Sequence, residues 1–181
     1  MTSAPALFAT PEELLLMEDG SHFELLDGEL RERNVSSQSN RVTVAATAFL
    51  FGVAQLRKDQ AFGSELGFRI FTDPARIRRP DAAYMLNERA PANDISYMNV
   101  APDLVVEVVS PSDRMNDVRD KAEEWLRAGV RVVWVLLPEA REAQVYRSDA
   151  HPAIFTAEDE LDATDIAPGL RTPVAELFPP R

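Results

Sequence analysis

PDLVVEVVSPSDRMNDVRDK, residues 102–121, opens with a run of aliphatic side chains into which two carboxylates are set. A short apolar run that ends at Ser-Pro-Ser has the pattern of a strand buried on both faces. Side chains alternate along a strand, so Asp103, Val105, Glu107 and Val109 share one face, and Leu104, Val106 and Val108 the other. Glu107 therefore has apolar neighbours on both sides. A carboxylate in such a setting either keeps its proton or acquires a partner, which can be a cation, a metal ion or a set of hydrogen-bond donors.

Downstream, Ser110-Pro111-Ser112-Asp113 stops the strand and offers caps to a helix from about Arg114 to Ala128, closed by Gly129. Met115, Val118, Ala122, Trp125 and Leu126 form its apolar stripe. Lys121 falls on the flank of that stripe and can lean back toward the sheet. RVVWVLL, 131–137, is a second buried strand. Strand, helix and strand in this order predict a right-handed parallel crossover, which makes the fold class α/β with a mixed sheet.

Upstream, Thr10-Pro11-Glu12-Glu13 starts a short helix whose Leu14 to Met17 are expected to pack inward. HFELLDGELRERN, 22–34, has two strand-like arms around Asp27-Gly28, a dipeptide suited to a tight hairpin. Glu24 lies on the face opposite Phe23 and Leu25, where a charged residue is by default exposed. Ser36 to Asn40 supply caps for a long helix, RVTVAATAFLFGVAQLRKD, apolar nearly all round from Val42 to Leu56. Burial on more than one side follows, between layers or in a dimer contact. Ser64 to Phe71 and Ile77 to Leu86 read as two strands joined by a turn at Thr72-Asp73-Pro74-Ala75 with proline at its second position, and Asn87 to Ala101 as a surface loop or flap. Beyond Pro138, EAQVYRS is a candidate edge strand, followed by turn-rich pieces and an apolar Leu177-Phe178 clasp.

A chain of 181 residues, 45% hydrophobic, suits one domain over 1–181. The absence of cysteine excludes disulfides and thiolate chemistry and agrees with a reducing compartment. No signal peptide or membrane span is visible, so a cytoplasmic protein without membrane contact is expected. The net charge of -11 opposes general binding to nucleic acid, although Arg69, Arg76, Arg78 and Arg79 could form a local basic patch or a solvated turn.

There is no phosphate-binding glycine loop, GxSxG or HExxH, and His22 and His151 have no ligand-like spacing. What remains is Glu24, Asp81, Asp103, Glu107 and Lys121. Oxygen donors of this kind suit Mg²⁺ or Mn²⁺, and a lysine beside them suits phosphodiester hydrolysis. An internal ion pair of Glu107 with Lys121 or Arg114 accounts for the same residues structurally.

The order FELLDGEL, RPDAAYM, PDLVVEVVSPSDR, then D-x3-K and AGVRVVW resembles the Uma-type (Uma-two) family of restriction-type endonucleases in the PD-(D/E)XK nuclease superfamily, over roughly residues 10–150. The resemblance implies a restriction-endonuclease-like core with an N-terminal β-hairpin, a central mixed sheet flanked by helices, and metal-dependent cleavage of DNA. Residue by residue, it makes Asp81 and Glu107 the metal ligands. Lys121 matches a lysine moved from the strand, where Val109 now stands, to the following helix. Glu24 matches the acid of the hairpin, an additional ligand or water-orienting group, and Asp103 is a weaker candidate. Asn40 stands where the family tends to have His, and Val132 and Val133 where it tends to have an acid and Tyr. The expected protein is thus a Mg²⁺- or Mn²⁺-dependent endodeoxyribonuclease, dimeric through the long helix. Its rival is a catalytically inactive nuclease-fold protein that binds a partner.

Overall fold

The computed structural model describes residues 9–33, 36–91 and 96–180. At its centre is β7 (Leu104–Val108), with all five residues buried. Parallel to it runs β8 (Val132–Leu137), Glu107 opposite Val135, and the two are joined by α3 (Met115–Arg127). On the other side β6 (Ala82–Met85) pairs antiparallel with β7. With β3 (Gln60–Phe62), β9 (Glu142–Arg147) and β10 (Ala150–Phe155) the mixed sheet has the order β10-β9-β8-β7-β6-β3. The fold is therefore the expected mixed α/β type.

The alternation along β7 sorts its residues between two cores. Leu104, Val106 and Val108 pack with Val42, Ala46, Leu50 and Ala54 of α2 (Ser37–Arg57), an i, i+4 stripe down the long helix. On the opposite face Val105, Val133 and Val135 pack with Ala122 and Trp125 of α3. Burial of each such valine or leucine contributes about 1.5–3 kcal/mol, which clamps β7 between the helices. The start of α2 is capped by Ser36, whose hydroxyl accepts from the Ser39 N–H. Its outer side leaves Val44, Phe51 and Leu56 exposed, so the apolarity all round the helix is buried along one stripe only within this chain.

A second, antiparallel sheet has the order β2-β1-β5-β4, built from β1 (Phe23–Leu26), β2 (Glu29–Glu32), β4 (Phe68–Thr72) and β5 (Ala75–Arg78). Asp27 and Gly28 both have positive φ, 54° and 88°, as a tight hairpin turn of matching twist requires. β11 (Glu160–Asp162) and β12 (Arg171–Pro173) form a small ribbon, after which Leu177 and Phe178 close over the α2 core as the expected clasp.

Several local expectations change. The strand expected over Ile77 to Leu86 is two strands, β5 in the small sheet and β6 in the large one, broken at Arg79-Pro80-Asp81. Proline cannot donate to a ladder, and the Arg79 N–H turns away to the Glu24 carboxylate, so pairing stops there. The Asp73–Pro74 peptide is cis, with proline third rather than second in its turn. The region read as a surface loop ends in the core: Tyr97 and Met98 are buried, and Met98 pairs with Gly67 and Arg69. Its Asn93-Asp94 lies outside the described residues. Of the expected inward stretch at the first helix, α1 (Pro11–Leu16), Leu14 is buried and Met17 packs beside it, but Leu15 and Leu16 are exposed, Leu16 to 86%. The segment expected as an edge strand is internal as β9, and β10 is the edge.

Candidate active site

Each of the candidate side chains arrives from a different element. Asp81 stands just before β6, and its backbone N–H donates to the Val106 carbonyl (3.0 Å) while its Oδ2 accepts from the Val108 N–H (2.7 Å). These two bonds straddle Glu107. Asp81 Oδ1 accepts from Arg33 at 3.1 Å. Glu107 points to the α3 side, where its Oε1 accepts from the indole N–H of Trp125 (2.7 Å) and its Oε2 from the ammonium of Lys121 (2.9 Å). Lys121 and Trp125 are four residues apart on α3, so they lie one turn above the other and reach the same carboxylate.

The hairpin brings the third carboxylate. Glu24 is only 6% exposed, contrary to the default for a charged hairpin residue. Its Oε1 accepts from the Arg79 N–H (2.9 Å) and lies 3.0 Å from Lys121 Nζ, and its Oε2 accepts from Arg78 (2.7 Å). The chain break at Arg79-Pro80-Asp81 thus does two things, ending β5 beneath Glu24 and delivering Asp81 beside Glu107.

Behind this group the ion pairs continue into the body of the protein. Arg78 and Arg76 both bind Glu124 of α3, and Arg76 also grips Asp27 at the hairpin turn. Arg79 is itself buried and donates to the carbonyls of Phe23, Glu65 and Gly20. Arg76, Arg78 and Arg79 are therefore neither a solvated turn nor a free basic patch: the first two tie the small sheet to α3 and Arg79 is enclosed, whereas Arg69 pairs with the exposed Glu12 of α1.

Glu24, Arg33, Asp81, Glu107, Arg114 and Lys121 line one cavity of about 690 Å³, open to solvent. The ion pairs run in one chain, Asp27–Arg76–Glu124–Arg78–Glu24–Lys121–Glu107, four carboxylates to three cations, beside the separate pair of Arg33 and Asp81. One negative charge is left over, and it falls on Glu107. Burial pushes the Glu107 carboxyl up, Lys121 opposes this, and the charges of Asp81 and Glu24 carry it to about 7. Burial likewise raises Asp81 against the pull of Lys121 and Arg33. For Glu24 burial is outweighed by Lys121, Arg78 and the Arg79 N–H, which bring it down to about 2. Burial alone would lower Lys121, yet Glu107 and Glu24 raise it, so the ammonium keeps its proton.

Asp103 does not join this group. It accepts from the Leu86 N–H (2.9 Å) and from Arg89 (2.6 Å), at the end of β7 away from Glu107. Arg33, Arg78 and Trp125 are the members that the sequence did not single out. Only Trp125 carries a local signal, its i, i+4 relation to Lys121. His22 and His151 do not line the cavity.

Among the described residues no group of three or more His, Cys, Asp or Glu side chains is arranged to hold a metal ion. Asp81 and Glu107 nevertheless present hard oxygen donors on adjacent strands, the number of carboxylates Mg²⁺ takes when water and substrate phosphate complete its shell. The oxygens that would face an ion, Asp81 Oδ1 and Glu107 Oε2, are those now paired with the cations Arg33 and Lys121. The donor set and the surplus negative charge fit a divalent cation.

The sequence profile of the Uma2 family, described as "Putative restriction endonuclease", matches residues 11–175. No curated protein matches the chain. Among solved structures, a "putative nuclease belonging to DUF820" from Anabaena variabilis superposes with a TM-score of 0.80 at 21% identity, covering 94% of this chain and 97% of its own. The fold is therefore that of this nuclease. Among the described residues no helix is long and apolar enough to cross a membrane.

Proposed function

The chain belongs to the Uma2 family, whose description names a restriction-type endonuclease, and from that membership we propose that it is an endodeoxyribonuclease dependent on Mg²⁺ or Mn²⁺. The reading rests on one observation, the meeting of Glu24, Asp81, Glu107 and Lys121 from four separate elements at a single solvent-reachable cavity. Asp81 and Glu107 would hold the metal. When bound, the ion lowers the pKa of a water molecule and offsets charge on the phosphate.

The chain's own residues set the geometry. The Val108 N–H fixes Asp81 Oδ2 and the Trp125 indole fixes Glu107 Oε1, and the other oxygen of each is the one paired with Arg33 or Lys121. Lys121, held between Glu24 and Glu107, would orient or activate the attacking water and stabilise the charge that develops on the phosphoryl oxygens. Glu24 holds Lys121 from the other side. The oxygen of water bonds to phosphorus, one P–O ester bond breaks, and the proton that the water gives up balances the one that the departing oxygen takes.

A second reading has its own observation: Glu24, Asp81 and Glu107 are each already paired with a cation, as in a structural ion network of an inactive nuclease-fold binding protein. Plasmid nicking with Mg²⁺, Mn²⁺ or EDTA, beside Glu107→Ala and Lys121→Ala, separates the two. The enzyme nicks only with metal and loses that activity in both variants, whereas equal trace cleavage by all three proteins would leave the binding protein standing. The exposed Val44 and Phe51, seven residues apart on one face of α2, motivate a homodimer through that helix. A monomeric mass by light scattering would remove it.

A further inference from the structure

Arg33 follows the last residue of β2, and its N–H donates to the His22 carbonyl (2.9 Å), which continues the hairpin ladder by one step. Glu24 pairs across the hairpin with Arg31, so Glu24, Arg31 and, two residues on, Arg33 present their side chains to one face. That face is the cavity. The Arg33 side chain is 14% exposed, and its guanidinium is gripped at two points, by the Ser64 carbonyl (2.7 Å) and by Asp81 Oδ1 (3.1 Å). With the other oxygen of Asp81 occupied by the Val108 N–H, Arg33 stands where a cation ligated by Asp81 would stand.

Guanidinium and a divalent ion compete for that oxygen, because like charges a few ångströms apart in a partly buried site repel strongly. The arrival of one weakens the hold of the other. Arginine carries its charge at any accessible pH and presents a planar fork of donors suited to phosphate. In the same cavity the group that arrives with the metal, on the nuclease reading, is a phosphodiester.

Resting on that reading, we propose that Arg33 is an exchangeable counterion: it holds Asp81 in the metal-free protein, is displaced by the divalent cation, and then binds a non-bridging oxygen of the substrate phosphate. The contact thereby links metal loading to substrate binding. Without DNA it competes with the metal, and with DNA it assists both.

Two binding measurements test this, with Arg33→Met and Arg33→Gln, the latter retaining a donor for the Ser64 carbonyl. Mn²⁺ titration followed by electron paramagnetic resonance, without DNA, is run on the wild type, both variants, Asp81→Asn, and each variant combined with Asp81→Asn. The expected result is about tenfold tighter Mn²⁺ binding in both Arg33 variants, a change of about 1.4 kcal/mol, and no gain in the Asp81→Asn background. Fluorescence anisotropy of a duplex oligonucleotide in Ca²⁺ is expected to show weaker DNA binding, by about tenfold, in the same variants. Unchanged Mn²⁺ affinity in both variants, with binding still lost in Asp81→Asn, would overturn the exchange and leave the metal site intact. If no form binds Mn²⁺, the metal site and the exchange fail together. Tighter Mn²⁺ with unchanged DNA affinity overturns the phosphate contact. Thermal melting within a few degrees of the wild type confirms that each variant is folded.

Discussion

The chain contains two Pro-Asp pairs, Pro80-Asp81 and Pro102-Asp103, each standing at the start of one of two neighbouring antiparallel strands, and the same local chemistry is built around both. Asp81 donates its N–H to the Val106 carbonyl and accepts from the Val108 N–H and Arg33, while Asp103 donates to the Tyr84 carbonyl and accepts from the Leu86 N–H and Arg89. Because the strands run in opposite directions, the two carboxylates lie at opposite ends of the ladder. At the Asp81 end Glu107 and Lys121 meet a cavity, and its side chain keeps 17% exposure; at the other end Asp103 is sealed at 1%. Identical backbone bracing thus yields a solvent-reachable carboxylate in one place and a structural clamp in the other.

Breaking the likeness is most direct through activity. On the nuclease reading, Asp81→Asn and Lys121→Met are expected to lower metal-dependent nicking by at least about 10²–10³-fold, since each would remove a group assigned there to the metal or the reacting phosphate. Asp103→Asn is expected to nick at the wild-type rate. Equal losses at the two aspartates would show that both act through the fold.

Stability should rank the pair in the reverse order. Asp103→Ala leaves the Leu86 N–H and a half-buried Arg89 without their acceptor, and urea denaturation is expected to register about 2–4 kcal/mol. Asp81→Asn keeps an acceptor for the Val108 N–H and should cost less than half of that.

The pH profile sharpens the contrast further, because the surplus charge sits only at the cavity end. Folded protein holds the Glu107 proton up to about pH 7, whereas the unfolded chain releases it near 4.5. The folded state binds more protons across that window, so this group's stabilisation is full below it and is lost as pH rises through it. Melting temperatures between pH 5 and 8 are expected to fall in the wild type and to flatten in Glu107→Gln. Glu24 runs the other way, its contribution present above about 4.5 and lost only as pH falls toward 2. The smallest effect is expected at Arg171, whose pairing with Asp162 is exposed on the β11–β12 ribbon. Arg171→Ala should leave the melting temperature unchanged.

The strand, helix and strand around Glu107 were legible because they are local: an aliphatic run, a Ser-Pro-Ser stop and a periodic stripe ending at Gly129. Lys121 followed from its place on that stripe. Glu24 was legible only through family resemblance, since by pattern it is an exposed hairpin residue. Its partners Arg78 and Arg79 lie 54 and 55 residues away, and no local rule brings them together. Arg33, 48 residues from Asp81, was hidden for the same reason. The split of the expected Ile77–Leu86 strand also had a visible cause in Pro80, yet the sequence does not say that the halves go to different sheets.

By itself, then, the sequence determined the period of each element, the burial of β7 and the order in which acids and lysine occur, all of which follow from residues within one or two turns of each other. Tertiary structure alone decided which Pro-Asp faces a cavity, which arginines neutralise which carboxylates, and that Glu107 is left with the unmatched charge. Those outcomes depend on strand direction and on distances between segments far apart in the chain, and electrostatics reads distance in space rather than along the sequence.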